Sequence, residues 1–173
     1  MKKMISLILT LAMSLVLCIP AFATSPIANS VPVGININEC KVEDLTDEVM
    51  IRSLEIPTSY WNLGTGYYTA NLEIVSNKWL YTNFYFRPNE DGRIYFDCNL
   101  SSGGYPVQIG VLDIDDNYVY YYNYYVTADY YPDYFPINSY FYNLDPEKDY
   151  AVCWRSGPDL RVHEFSGNAV ISW

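Results

Sequence analysis

Several stretches of this chain alternate apolar and polar residues, and that period of two is the feature that most restricts its fold. Successive side chains of a β-strand point to opposite faces, so alternation indicates strands that bury one face. The stretches are rich in tyrosine, valine, isoleucine, phenylalanine and threonine, which favour strands. They occupy residues 71–74, 80–86, 94–100 and 107–111.

Turn-forming residues separate these stretches at short intervals. Asp91-Gly92, within Pro88–Gly92, is a pair that favours a hairpin, and Ser101–Gly104 and Asp113–Asn117 also contain turn residues. Strands separated by turns every 8–12 residues or so are typical of antiparallel sandwiches. We therefore expect an all-β protein, an antiparallel β-sandwich of jelly-roll or immunoglobulin-like type with about eight or nine strands.

Residues 1–23 have the pattern of a secretory signal peptide. Two lysines are followed by an apolar run over residues 5–19 and by the small residues Ala21 and Ala23, which a signal peptidase reads. We expect a secreted, extracellular protein whose mature chain begins at Thr24.

The remaining chain has the length of one domain. About 150 residues bury roughly 68–70% of their unfolded surface, enough for a core without metals. Residues 24–46 are polar and contain prolines without clear periodicity, which predicts an irregular lead-in. The β-sandwich domain is expected to occupy residues 47–173.

The charge of the chain restricts its partners. Twenty acidic and ten basic residues give a net charge of −10, and such a chain is repelled by nucleic acid and anionic lipid. We expect no nucleic-acid partner, and no membrane association once the signal peptide is removed. Solubility of an exported protein is the simpler reason for the acidity.

Three cysteines remain after the signal peptide, namely Cys40, Cys98 and Cys153. They allow one bridge with a leftover thiol, or no bridge. Cys98 lies on the apolar side of its stretch and is expected to be buried, whereas Cys153 falls on the polar side of its own. We therefore expect no Cys98–Cys153 bridge, because a disulfide requires Cβ atoms about 3.8 Å apart.

Leu144–Val152 resembles the tyrosine corner of fibronectin type III domains, in which a tyrosine at the start of a strand returns its hydroxyl to backbone upstream. Tyr150 has that position. The order of elements from Gly92 to Trp173 is similar to that of bacterial pre-peptidase C-terminal domains, which are small secreted sandwiches. This resemblance implies an adjunct or adhesive role rather than catalysis.

Candidate catalytic and metal-binding residues are few. His163 is the only histidine, and neither G-x-S-x-G nor H-E-x-x-H occurs. Asp113, Asp115 and Asp116 start like a calcium loop, but the glycine and glutamate of an EF-type loop are missing. A polar turn is the simpler interpretation, a loose calcium site on these carboxylates is the alternative, and we expect no other cofactor.

Tyrosine is the anomaly of this composition, with nineteen residues, eleven of them between Tyr118 and Tyr142. A two- or four-residue hairpin loop before Tyr118 would place Tyr120, Tyr122 and Tyr124 on the apolar face of 107–111. The even-numbered tyrosines are then expected in the core, and the odd-numbered ones outside.

Two Tyr-Asn-Tyr stripes are therefore expected to point outward. We predict that they bind ligand through aromatic faces and amides, and that they consist of Tyr81, Asn83, Tyr85, Tyr121, Asn123 and Tyr125.

This pattern predicts a non-catalytic binding or adhesion domain whose partner is an extracellular glycan or cell-wall polysaccharide, with a protein partner as the next choice. Two alternatives remain open. One is an extracellular polysaccharide hydrolase with paired carboxylates, and the other is a structural surface protein that self-associates.

Overall fold

The computed structural model describes residues 34–45, 56–74, 78–101, 106–124, 135–157 and 164–173, and these form a β-sandwich. Two short 3-10 helices occupy Ile37–Glu39 and Leu63–Thr65. The strands are β1 (Ile35–Asn36), β2 (Lys41–Asp44), β3 (Tyr68–Ile74), β4 (Leu80–Tyr81), β5 (Ile94–Ser101), β6 (Val107–Asp113), β7 (Tyr118–Tyr124), β8 (Phe135–Tyr142), β9 (Tyr150–Ser156) and β10 (Phe165–Ser172).

The strands form two five-stranded sheets. Sheet I has the order β1-β8-β5-β10-β3, and sheet II has the order β2-β7-β6-β9-β4. All pairs are antiparallel except β1 with β8. Strands β3 to β10 have the jelly-roll arrangement of two four-stranded sheets, so the jelly-roll form of the expected sandwich is observed.

The described residues form ten strands, because β1 and β2 add an edge strand to each sheet. Both lie within residues 24–46, the segment expected to be irregular. Strands of two and four residues show too few alternations to be recognised in a sequence, and their pairing with β8 and β7 determines their conformation.

The hairpin predicted at Asp91-Gly92 is wrong, because this turn joins β4 of sheet II to β5 of sheet I. The turn itself is present, with Gly92 at a φ of 66°. Leu144 crosses close to it: its N–H donates to the Gly92 oxygen (3.1 Å), and a Cβ on Gly92 would lie 2.4 Å from the Leu144 oxygen. The turn residues reverse the direction of the chain, but they do not determine which strand the following segment pairs with.

The main core fills the space between the sheets. Phe96, Ile109, Phe141 and Trp154 are among its fully buried members. A second apolar cluster covers the outer face of sheet II, and it consists of Leu45, Trp79, Tyr81, Leu112, Val119, Ala151 and Cys153. Sheet II is therefore covered on both faces, and every residue of its central strand β6 is buried.

The predicted parity of the β6–β7 hairpin is observed. A four-residue loop, residues 114–117, joins the strands, with Ile109 opposite Tyr122 and Gly110 opposite Tyr121. The expected core burial of Tyr122 is nevertheless wrong, because its side chain is 40% exposed. Among the described residues, β7 is followed at this edge of sheet II by the four-residue strand β2, whose Val42 is 55% exposed, and their core does not extend over this margin.

The three cysteines within the described residues, Cys40, Cys98 and Cys153, are free thiols, as expected for Cys98 and Cys153. Cys98 lies in the main core, whereas Cys153 lies in the second cluster on the outer face of sheet II. Their side chains lie on opposite sides of sheet II, which accounts for the absence of a bridge.

Candidate functional site

Two of the predicted ligand-binding residues, Tyr81 and Tyr121, share the outer face of sheet II. The strand register places them in one row, because Tyr81 pairs with Cys153, Cys153 with Gly110 and Gly110 with Tyr121. Tyr81 is only 6% exposed, and Tyr121 is half-buried against the second cluster. The predicted face exists, but it is covered.

Trp79 and Arg155 provide part of this cover. The Trp79 ring meets the Tyr121 ring edge-on at 5.5 Å between centroids. The Arg155 guanidinium lies 4.2 Å from the Trp79 centroid and 5.6 Å from that of Tyr121. Both of its terminal nitrogens donate to Glu43, Nη1 to Oε1 (2.9 Å) and Nη2 to Oε2 (2.7 Å).

Polar groups beside this ion pair are also hydrogen-bonded. Arg155 Nε donates to Gln108 Oε1 (2.8 Å), and Gln108 Nε2 donates to Asn123 Oδ1 (2.7 Å). Burial raises the pKa of the Tyr81 hydroxyl well above its usual value. Through Gln108, Asn123 is connected to Arg155 and belongs to a polar cluster on the outer face of sheet II. Tyr125 lies outside the described residues.

Asn83 and Tyr85 belong to a different surface, because β4 ends at Tyr81. Asn83 is exposed, and Tyr85 is half-buried. The Tyr85 N–H donates to the Ser59 oxygen (2.9 Å), and the Trp61 N–H donates to the Tyr85 oxygen (3.0 Å). This short backbone pairing brings the segment before β3 beside the segment after β4.

We define an aromatic patch around this pairing by five residues, of which Tyr85 is half-buried and the other four are exposed: Tyr60, Trp61, Tyr67, Tyr85 and Trp173. The Tyr60 ring contacts the Tyr85 ring at 5.7 Å between centroids. Tyr60, Trp61, Tyr67 and Trp173 are 43%, 37%, 67% and 45% exposed. Among the described residues, these are four of the six exposed large hydrophobic side chains, so exposure is concentrated here.

Both indole rings of the patch are fixed by hydrogen bonds from their N–H groups. Trp61 Nε1 donates to the Gly66 oxygen (3.4 Å), and Trp173 Nε1 donates to the Arg87 oxygen (2.9 Å). The Trp173 ring lies so close to Gly64 that a Cβ there would be 2.6 Å from Cζ3. The contacts restrain the two indole rings, and the shorter hydrogen bond is that of Trp173.

Packing beneath the patch anchors it to the sandwich. The Trp61 ring meets Phe84 at 5.4 Å and Tyr68 at 5.7 Å, both edge-on. Tyr68 is buried and contacts the core residue Phe86. The patch therefore has an interior support and an exposed face.

Arg87 lies at the edge of the patch, 6.0 Å from the Tyr60 centroid. Its Nε donates to Asp149 Oδ1 (2.9 Å), and this hydrogen bond raises the pKa of the guanidinium. Asn62 Oδ1 accepts from the Gly64 N–H (2.9 Å) and shapes the loop that carries Trp61. The patch therefore presents aromatic side chains to a ligand, with amide groups and a paired cation at its edge.

The aspartates of the candidate calcium loop have other partners. Asp113 Oδ1 accepts from the backbone N–H groups of Asp115 (3.1 Å) and Asp116 (3.2 Å). Lys148 Nζ donates to Asp113 Oδ2 (2.8 Å) and also to Asp116 Oδ2, which raises the pKa of the lysine. Over the described ranges, no group of three or more His, Cys, Asp or Glu residues could hold a metal ion.

Comparison with known proteins assigns no family to this chain. Neither protein-family models, nor curated proteins, nor solved structures match the chain. Within the part that the structure describes, no helix is long and apolar enough to cross a membrane. The candidate His163 lies outside the described residues.

Sequence reasoning missed most of the patch because its residues lie between strands or at their ends. The available signal was the pairing of aromatic residues around a turn-rich stretch, with Tyr60-Trp61 and Tyr67-Tyr68 flanking Asn-Leu-Gly-Thr-Gly. Alternation cannot detect such a site, since it reports only which face of a strand is buried.

Proposed function

We propose that the protein is a non-catalytic binding or adhesion domain that holds a glycan on the aromatic patch. The observation that carries this proposal is that four of the six exposed large hydrophobic side chains among the described residues belong to the patch, with both indole N–H groups hydrogen-bonded to backbone. Ordering rings on binding costs free energy, so rings that are already held favour affinity.

A glycan fits this surface because its two kinds of group match those of the patch. Aromatic side chains supply large, rigid contact area, and sugar rings present C–H faces to them. Asn83 precedes Phe84, which contacts the Trp61 ring, and its exposed amide offers a donor and an acceptor for hydroxyl groups. Lectin domains are among the proteins with jelly-roll folds, which supports the proposal by analogy alone.

An extracellular location is part of the proposal. It rests on the signal-like residues 1–23. Polysaccharides and other glycans of the cell surface are the polymers that such a protein meets.

The test is retention of the purified protein by a panel of polysaccharides. Trp61→Ala should weaken binding by about 2 kcal/mol, or roughly thirtyfold, as expected for a central aromatic in a binding site. Tyr122→Ala is the matched control, since this tyrosine is equally exposed but lies on β7 of sheet II. Equal loss in both variants would contradict the proposal.

Gly64→Ala provides a second variant that keeps every aromatic ring. The added Cβ would force the Trp173 ring to move, so binding should weaken while the urea midpoint changes little. If glycan is not retained at all, a protein partner and self-association through the same patch become the alternatives. Sedimentation of the protein over a concentration series distinguishes the second of these.

A further inference from the structure

We infer that the glycan is a neutral polysaccharide, built from sugars without carboxylate or sulfate groups. This inference rests on the proposed function of the aromatic patch. It follows from the charges around the patch and from a row of exposed amides on the adjoining face of sheet I.

The cation at the edge of the patch is already paired. Arg87 donates to Asp149 at 2.9 Å, and its guanidinium also faces the Tyr60 ring. Asp149 offsets the charge of this guanidinium, so the pair attracts an acidic sugar less than an arginine without a countercharge would. Arg93, immediately before β5, also has partners, with the Tyr95 hydroxyl at 3.4 Å and the Tyr140 ring at 5.3 Å.

The outer face of sheet I continues from the patch, because β3 begins directly after Tyr67. The register aligns Asn71, Asn168 and Asn99 in one row across three adjacent strands, and all three are exposed. Their amides donate to and accept from hydroxyl groups equally well. The exposed carboxylates nearest in register to this row, Glu73 and Asp97, repel anionic polymers.

The net charge of the whole chain, −10, also repels anionic polymers. Long-range repulsion lowers the rate at which an anionic polymer approaches, and salt screens this effect. A neutral polymer meets no such barrier, so its binding should not depend on salt.

The test compares two polymers with the same β-1,4-glucan backbone, neutral hydroxyethylcellulose and anionic carboxymethylcellulose, by affinity electrophoresis at low and high ionic strength. The intact protein should bind the neutral polymer equally well at both ionic strengths. It should bind the anionic polymer more weakly than the neutral one, and this difference should be largest at low ionic strength. Trp61→Ala should reduce binding of the neutral polymer at least about tenfold. Tyr122→Ala should leave it unchanged.

Asp149→Asn tests the charge argument directly, because it leaves Arg87 without its carboxylate. The variant should bind the anionic polymer about two- to fivefold better at low ionic strength, a gain that salt removes. Preference of the intact protein for the anionic polymer would overturn this inference while leaving the patch as the site. Failure to bind any neutral or acidic polysaccharide would overturn the proposed function instead.

Discussion

The backbone N–H of Asp145 donates a hydrogen bond of 3.2 Å to the hydroxyl of Tyr150, five residues further along the chain. Tyr150 is the first residue of β9 and is 2% exposed. The expected tyrosine corner is thus confirmed, whereas the resemblance to pre-peptidase C-terminal domains stays a prediction.

Tyr150→Phe should lower the free energy of unfolding by about 1–2 kcal/mol, because the Asp145 N–H loses its partner. The urea midpoint measures this change. Tyr122→Phe, at an exposed tyrosine, should stay within about 0.5 kcal/mol of the native protein. Equal midpoints for the two variants would mean that the corner does not stabilise the fold.

The ion pair of Arg155 with Glu43 holds the second cluster against sheet II. Both side chains are mostly buried, with exposed fractions of 18% and 24%. Glu43→Gln should destabilise the protein by about 1–3 kcal/mol, since it leaves the guanidinium without a countercharge. Asp149→Asn removes the partner of the exposed Arg87 and should hardly move the urea midpoint, and a larger effect there would contradict this ranking.

Stability should fall at alkaline pH. Burial raises the pKa of the Cys98 thiol from 9.0 to about 12 and that of the Tyr150 hydroxyl from 10.0 to about 12. Their contribution is complete below the unfolded-state pKa values and is lost as pH rises through the folded-state ones. Each group can remove up to about 1.4 kcal/mol per pH unit in that window.

Urea unfolding at a series of pH values up to about 11 measures this loss. Cys98→Ala serves as the comparison, because it removes one of the two groups. The variant should be less stable at neutral pH but should lose less stability on going to alkaline pH. Parallel curves for the two proteins would show that the thiol does not contribute.

Neighbouring tyrosines of β7 should differ sharply in their importance for stability. Tyr124 is 4% exposed and lies in the main core, whereas Tyr122 is 40% exposed and contacts the Tyr124 ring at 5.2 Å. Tyr124→Ala should cost about 3–5 kcal/mol and Tyr122→Ala about 1 kcal/mol, measured by urea unfolding. Similar costs would show that the core extends over the margin of sheet II.

The candidate site shows what local sequence patterns can predict and what they cannot. Parity placed Tyr121 and Asn123 on the outer face of sheet II, and the strand register agrees. Parity could not show that Trp79 and Arg155 cover that face, because both come from other strands or loops. To predict that a side chain points outward from its sheet is therefore not to predict that it is exposed to solvent.

The sequence by itself determined the all-β class, the β6–β7 register, the tyrosine corner and the burial of Cys98, because each depends on a period of two or on residues close in the chain. The tertiary structure alone decided which sheet follows the turn at Gly92, which face of sheet II is covered, and where the aromatic residues meet. Tyr60, Tyr85 and Trp173 come together only when β3, β10 and the segment after β4 pack side by side. Such contacts between distant segments depend on the packing of the whole sandwich, which no local pattern contains.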